Sequence, residues 1–432
     1  MRVLFLLFVI ALSIRIIVVS LLPQDAPDTY RYDSIAVNLL SGGGFSTDGV
    51  NPRSDTAPLY PLMLALNYLL FGHNLLVVRI LQAIIDSITC LLLYAIGIEL
   101  SNKRMIGILS VTLACFSPTL IGSTSFVLTE TLNGFLITAA VLLLMKAVKG
   151  NNGLYFLSGI LLGISTLCRP TTLLFPIFLF ASLVLSPKKA FQKVGITKKY
   201  IILSIIIFSF AMGITIIPWT VRNYFAFGRF LPVASGSGAN LWIGSYLPWD
   251  GDYNYKDLSA KLKIEYGLSQ IDADKRFKEE AIKNIKGHPF RYAVLCVKKL
   301  FRFWFGVPGS KEVLKDLILI KFLLYAIQSI VVFFFVLGIW FLIKDWDIVK
   351  AVPVTMIFYF TIMHSLLFAI PRYRIPIDPL ILTIASIGIW HLTTLTTSFS
   401  YHFVLKKSLM SDNKFPLIRL LKKRFIIKTG RK

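Results

Sequence analysis

A chain of 432 residues that is 56% hydrophobic and 16% charged, with a mean hydropathy of +0.71, has too little polar surface to fold as a water-soluble globule. Its 46 Lys and Arg against 22 Asp and Glu leave a net charge of +24, yet these basic residues fall between and after apolar runs, which points to a membrane surface rather than nucleic acid. Cys90, Cys115, Cys168 and Cys296 show neither CxxC nor Cys/His spacing, so neither a zinc site nor a disulfide frame is indicated.

The composition therefore predicts an all-α polytopic membrane protein. On the rule that a span needs about 20 mostly apolar residues, helices are expected near 3–22, 75–100, 104–122, 130–147, 154–169, 171–186, 200–219, 318–343, 350–370 and 374–396. The first reads as a retained helix, since no small-x-small cleavage site follows it. The apolar run 59–71 is short and reads as a half-buried or re-entrant helix. With ten spans and the N-terminus inside, the basic short loops at 101–104, 146–153, 186–199 and 344–350 all fall on the cytoplasmic side. An eleventh span would turn them outward.

This topology divides the chain into an N-terminal module, 1–219, with a first outer loop at 23–74; an outer segment, 220–317; C-terminal helices, 318–396; and a basic cytoplasmic tail, 397–432. Residues 269–286 have the spacing of an amphipathic helix lying on the membrane or on the bundle. The expected location is the cell (inner) membrane, with the chemistry on its outer face.

Acids on that face are candidates for proton transfer. Asp25, Asp28 and Asp33 follow the first helix, with Asp28 expected just ahead of a juxtamembrane helix at 30–40 that carries Tyr32. They read as a solvated loop or as a catalytic cleft. Glu130 opens an apolar helix beside Thr129 and reads either as a helix-dipole partner or as a boundary acid with a function. Arg169, Arg222, Arg372 and Arg374 fall at outer helix ends, where each reads as an interfacial anchor or as a ligand for a lipid phosphate. Arg15 interrupts the first span and is expected to meet a polar partner inside it.

The ordered set DTYRYDSIAVNLLSGGGFS, APLYPLMLAL, LTETL, GILLGISTLCRPTTLLFP, PWTVRNYFAFGRFLPVASGSGANLWIGS and RYRIPIDPL resembles the GT-C glycosyltransferases. The likeness extends over the first helix to about residue 395, and is to the branch of the lipid A aminoarabinose transferase and the bacterial protein O-mannosyltransferases. The resemblance implies a GT-C-like bundle and inverting transfer from an undecaprenyl-phosphate-like sugar donor to a lipid, glycan or protein acceptor. Asp28 matches the family's catalytic base, with Thr29 standing where many relatives have a second acid, so that Asp33 or Asp25 is left to contribute. Glu130 resembles the second acidic motif, which in some members positions substrate or a divalent metal. Arg372 and Arg374, with Tyr373 between them, match positions near the carrier phosphate, and Tyr32, Arg169 and Arg222 complete the expected substrate-binding set. A surface-polysaccharide polymerase or ligase is the alternative. A lipid-linked substrate transporter would need broken polar helices at the midplane instead.

Overall fold

The computed structural model describes residues 2–22, 26–252, 259–308 and 317–410. Asp25, Asp257 and the tail from 411 onward lie outside the described residues. The chain forms two compact units, Met1–Gly388 and Ile389–Lys432; of the second, residues 389–410 are helical. Apart from an isolated antiparallel bridge between Ser46 and Pro52, the described residues are helices and turns.

Most of the expected apolar runs become helices, with shifted or broken ends at 104–122, 350–370 and 374–396. The first apolar helix is α1 (Arg2–Leu21), and the loop after it holds α2 (Pro27–Leu40) and α3 (Leu59–Phe71) before α4 (Leu75–Ser101). The expected 104–122 span is broken. Its first part, α5 (Arg104–Cys115), ends ahead of Ser117-Pro118, and α6 (Pro118–Ser123) restarts there. Proline lacks an N–H and suits the first helical position, so a new helix begins where the old one stops.

The next hairpin is α7 (Glu130–Ala147) and α8 (Asn152–Cys168), followed by α9 (Phe175–Leu185), short α10 (Lys188–Gln192) and the long α11 (Lys198–Phe227). The segment expected to lie outside holds α12 (Ser237–Ser245), α13 (Ser259–Glu265), α14 (Gln270–Gly287) and α15 (Pro289–Phe305). The chain closes with α16 (Ile318–Lys344), α17 (Ile348–Leu366), a 3-10 turn at Pro371–Ile377, and α18 (Asp378–Met410).

Among the described residues seven helices, not the expected ten, are long and apolar enough to cross a membrane, and Leu59–Phe71, Arg104–Cys115, Asn152–Cys168 and Pro170–Leu185 are shorter apolar stretches. Burial separates inner from outer spans: α7 and α17 hide 72% and 67% of their apolar windows, α1 and α16 only 17% and 28%. The latter pair leaves side chains such as Phe5, Phe322 and Phe333 exposed, as lipid-facing helices do. Between α8 and α11 the backbones touch. A Cβ on Gly159 would lie 2.3 Å from the Phe208 carbonyl oxygen, so the small pair Gly159 and Gly163 sets this crossing.

Arg15 meets its expected polar partner. Its guanidinium is fully buried, donating to Asp86 of α4 at 2.5 Å and to the Ala114 carbonyl of α5 at 3.1 Å. The expected amphipathic helix is α14, with Ser269 as its cap. Its apolar face, Ala273, Phe277 and Ala281, packs on Trp242 and Trp249, so it lies on the folded outer segment.

Candidate active site

Four elements deliver their ends to one place. The first is α2, which begins one turn earlier than its apolar pattern suggests because Pro27 takes the first helical position and the Ala26 N–H donates to Thr29 Oγ1 at 3.1 Å. Asp28 therefore lies inside the first turn, not ahead of it. Thr29 also donates to the Val127 carbonyl at 3.3 Å, so it ties α2 to the turn that precedes α7. Asp28, Arg31 and Tyr32, at i, i+3 and i+4, share one helix face.

That face meets Glu130 from the start of α7, Arg169 from the end of α8, and Arg372 and Tyr373 from the Pro371–Ile377 turn. Asp28 Oδ1 accepts from Arg31, and Oδ2 accepts from Arg372. Glu130 Oε1 accepts from Arg169 at 2.8 Å and stands 3.7 Å from Arg372 Nε. The Arg169 guanidinium lies 4.3 Å over the Tyr373 ring. Asp55 completes the cluster between Arg53 at 2.5 Å and Arg31 at 3.6 Å. Four guanidiniums thus face three carboxylates, leaving surplus positive charge.

All of these side chains except Thr29 line a cavity of about 1810 Å³. Asp28 and Arg372 each keep 26% side-chain exposure against 4% for Glu130, so the first two face the cavity and Glu130 stands behind them. Arg31 Nε and Arg372 Nε have no hydrogen-bond acceptor. The surplus guanidinium charge, rather than these two buried nitrogens, is what favours an anion at the cavity. Burial alone would raise the Asp28 carboxyl, but Arg372 and Arg31 beside it outweigh burial and hold it below the usual carboxylate range.

The support behind Glu130 comes from α4. Gln82 donates to the Phe126 carbonyl at 2.8 Å, Arg79 donates to the Ser125 carbonyl at 2.9 Å, and the Tyr60 hydroxyl of α3 holds Gln82 at 2.6 Å. Sequence reasoning missed Arg79, Gln82 and Asp86, and also Arg31, Arg53 and Asp55. The signal was present for the first three: they recur on one face of an otherwise apolar helix.

Three expected site residues are not brought to this cluster. Asp33 is five positions beyond Asp28, about 140° around the helix, and accepts from the Tyr68 hydroxyl at 2.6 Å with His73 Nε2 at 2.8 Å. Arg222 stacks on Trp219 at 4.6 Å and Phe45 at 5.3 Å, outside the cavity lining. Arg374, two residues past Arg372, points roughly 240° around the 3-10 turn. It is fully buried and committed to Asp378 at 2.7 Å, the Phe303 and Trp304 carbonyls at 2.8 and 2.7 Å, and Gln328 at 2.9 Å.

A divalent cation requires carboxylate oxygens free to ligate it. Here both Asp28 oxygens and Glu130 Oε1 hold guanidiniums, and among the described residues no three His, Cys, Asp or Glu gather. Among the described residues the donor set does not fit a resident metal.

Residues 55–219 match the family described as dolichyl-phosphate-mannose-protein mannosyltransferase. This stretch includes Glu130 and Arg169 but neither Asp28 nor Arg372. The archaeal oligosaccharyltransferase AglB from Archaeoglobus fulgidus, in complex with an inhibitory peptide and a dolichol-phosphate, resembles the chain with a TM-score of 0.56 at 13% identity, covering 99% of this chain and 54% of that one. Its apo form gives 0.57 at 12% identity, with coverage of 99% and 54%. ArnT from Cupriavidus metallidurans bound to undecaprenyl phosphate gives 0.43 at 12% identity, covering 89% of this chain and 76% of that one. No curated protein matches the chain. The likeness to the oligosaccharyltransferase shows that this chain shares its fold. The chain spans about half the length of the oligosaccharyltransferase it resembles.

Proposed function

We propose that this chain is a membrane glycosyltransferase that moves a sugar from a polyprenyl-phosphate carrier to an acceptor, with Asp28 as general base and Arg372 as the main ligand of the carrier phosphate. The observation that carries this reading is the contact between Asp28 and Arg372, 344 residues apart in sequence, at a cavity that also holds Arg31, Arg169 and Glu130. The shape of the cavity supports a lipid donor. Beside the charged cluster it is lined by Leu173, Leu174, Phe301, Phe305, Leu324 and Ile327, and four of these, Leu174, Phe301, Phe305 and Ile327, are exposed apolar side chains of a membrane-embedded bundle. A charged head and an apolar flank suit a phosphate on a prenyl chain.

In the transfer, the acceptor O–H oxygen attacks the anomeric carbon as the bond from that carbon to the phosphate oxygen breaks. The electron pair leaves with the carrier phosphate, and the acceptor proton passes to Asp28. Attack opposite the leaving group inverts the anomeric centre. In the ligand-free protein the two arginines make Asp28 a weak base. A donor phosphate competes for Arg372, and to the extent that it draws this guanidinium away, Asp28 regains basicity when base is needed. Glu130, held by Arg169, keeps Arg372 near the phosphate position when it leaves Asp28.

The test is acceptor-dependent release of polyprenyl phosphate by the purified protein from a panel of polyprenyl-phosphate sugars, with the anomeric configuration of the product read by NMR. Release with inversion is the expected result. Substrate crossing the membrane intact, with no release, would replace this reading with transport.

A further inference from the structure

Two buried cations tie α15 to the chain that presents Arg372, one at the turn itself and one at the helix end just before it. From one side, Arg374 donates into the Phe303 and Trp304 carbonyls at the C-terminal end of α15. From the other, Lys299 of α15 is fully buried, and its ammonium donates to the Gly244 carbonyl at 3.0 Å, the Leu366 carbonyl at 2.9 Å and the Leu367 carbonyl at 3.2 Å. Those carbonyls close α12 and α17. The last turn of a helix exposes unpaired carbonyls and the negative end of its dipole, so one ammonium satisfies two helix ends together.

The two ends are also in direct contact. A Cβ on Gly244 would lie 1.6 Å from the Leu367 carbonyl oxygen, so only glycine allows the approach that brings both within reach of one ammonium. The Tyr292 hydroxyl adds a second donor to the Leu366 carbonyl at 2.6 Å. Four residues beyond Leu367 the chain enters the turn that carries Arg372 and Tyr373.

We propose that Lys299 is a positioning residue: by joining the ends of α12 and α17 it holds the following turn so that Arg372 and Tyr373 face the cavity. It touches neither Asp28 nor Arg372 and acts through the backbone it holds. The proposal rests on the reading of the cavity as a phosphate-binding site.

The experiment compares wild type with Lys299→Met, Lys299→Arg and Tyr292→Phe in lipid nanodiscs. Two readouts are taken: binding of undecaprenyl phosphate, and hydrogen exchange of the amides in 366–377. Losing hydrogen bonds to a charged group should weaken undecaprenyl-phosphate binding by about tenfold in Lys299→Met and speed exchange in 366–377 by a similar factor, with α7 and α8 unchanged. Lys299→Arg keeps the charge and should recover part of both losses. Tyr292→Phe should move both in the same direction by a smaller factor, and it carries the test if Lys299→Met does not fold. Wild-type binding and exchange in Lys299→Met, or in Tyr292→Phe where Lys299→Met does not fold, would overturn the proposal. If wild type itself does not bind the lipid, the donor reading fails, while the exchange readout still decides whether Lys299 holds the turn.

Discussion

Arg372 and Arg374 differ by two positions and carry the same charge, but the first is part-exposed at the cavity and the second fully buried. Arg372 faces the cavity, so Arg372→Ala should raise the donor KM and lower turnover, whereas Arg372→Lys should recover only part because an ammonium keeps the charge and loses the planar fork. Arg374 is spent on Asp378, Gln328 and three backbone carbonyls. Removing one partner of such a buried pair costs about 3–5 kcal/mol, so Arg374→Ala should appear first as a lower midpoint in thermal unfolding. If Arg374→Ala unfolded like wild type but lost donor binding, the division between the two would be wrong. Because guanidiniums occupy the carboxylates, chelation by EDTA should leave turnover unchanged; activity lost to EDTA and restored by Mn²⁺ would show that a metal displaces them. The sequence placed Asp28, Tyr32, Glu130, Arg169, Arg372 and Tyr373 on one face of the membrane, and the structure gathers them. It did not separate Arg374 from Arg372 or Asp33 from Asp28, since that depends on the phase of a 3-10 turn and the starting residue of α2.

At the scale of elements, α15 was the helix least visible in the sequence. Its exposed apolar residues Phe290, Val294, Val297, Phe301 and Phe305 have helical spacing, but the basic residues among them break any long apolar window. The span windows at 75–100 and 130–147 matched closely because a continuous apolar run leaves few alternatives, while Pro118 divided 104–122 through backbone chemistry that hydropathy does not weigh. The lock on α15 also has a pH signature. Burial pushes Lys299 down to about 8, against about 10.4 for a lysine in water. Opening that exposes Lys299 therefore takes up a proton between these values, so opening becomes costlier as pH rises through this window and is insensitive to pH below it. Hydrogen-exchange opening free energies for 366–377, corrected for intrinsic rates, should rise from about pH 8 upward in wild type and stay flat in Lys299→Met. A fall over the same window would contradict the burial of this ammonium. Between α8 and α11, Gly159→Leu should lower the unfolding midpoint sharply, because the Phe208 backbone already occupies the space.

For the molecule as a whole, charge supplies the orientation that the helices alone do not. Lys149 with Glu99, and Lys193 and Lys350 with Asp345, lie at the helix ends opposite the Asp28 cavity. The positive-inside rule predicts that this end is cytoplasmic and the cavity extracytoplasmic. A reporter fused after Lys193 should read cytoplasmic and one near Lys261 external; the reverse would overturn this orientation. The central claim is tested most directly by one comparison: polyprenyl-phosphate release by wild type, Asp28→Asn and Asp33→Asn at matched expression and matched undecaprenyl-phosphate binding. Asparagine keeps the size of aspartate but cannot take the acceptor proton, so Asp28→Asn should lose about 10²–10⁴-fold in turnover while Asp33→Asn, whose carboxylate serves Tyr68 and His73, stays within a few-fold of wild type. Near-normal release by Asp28→Asn would contradict the account.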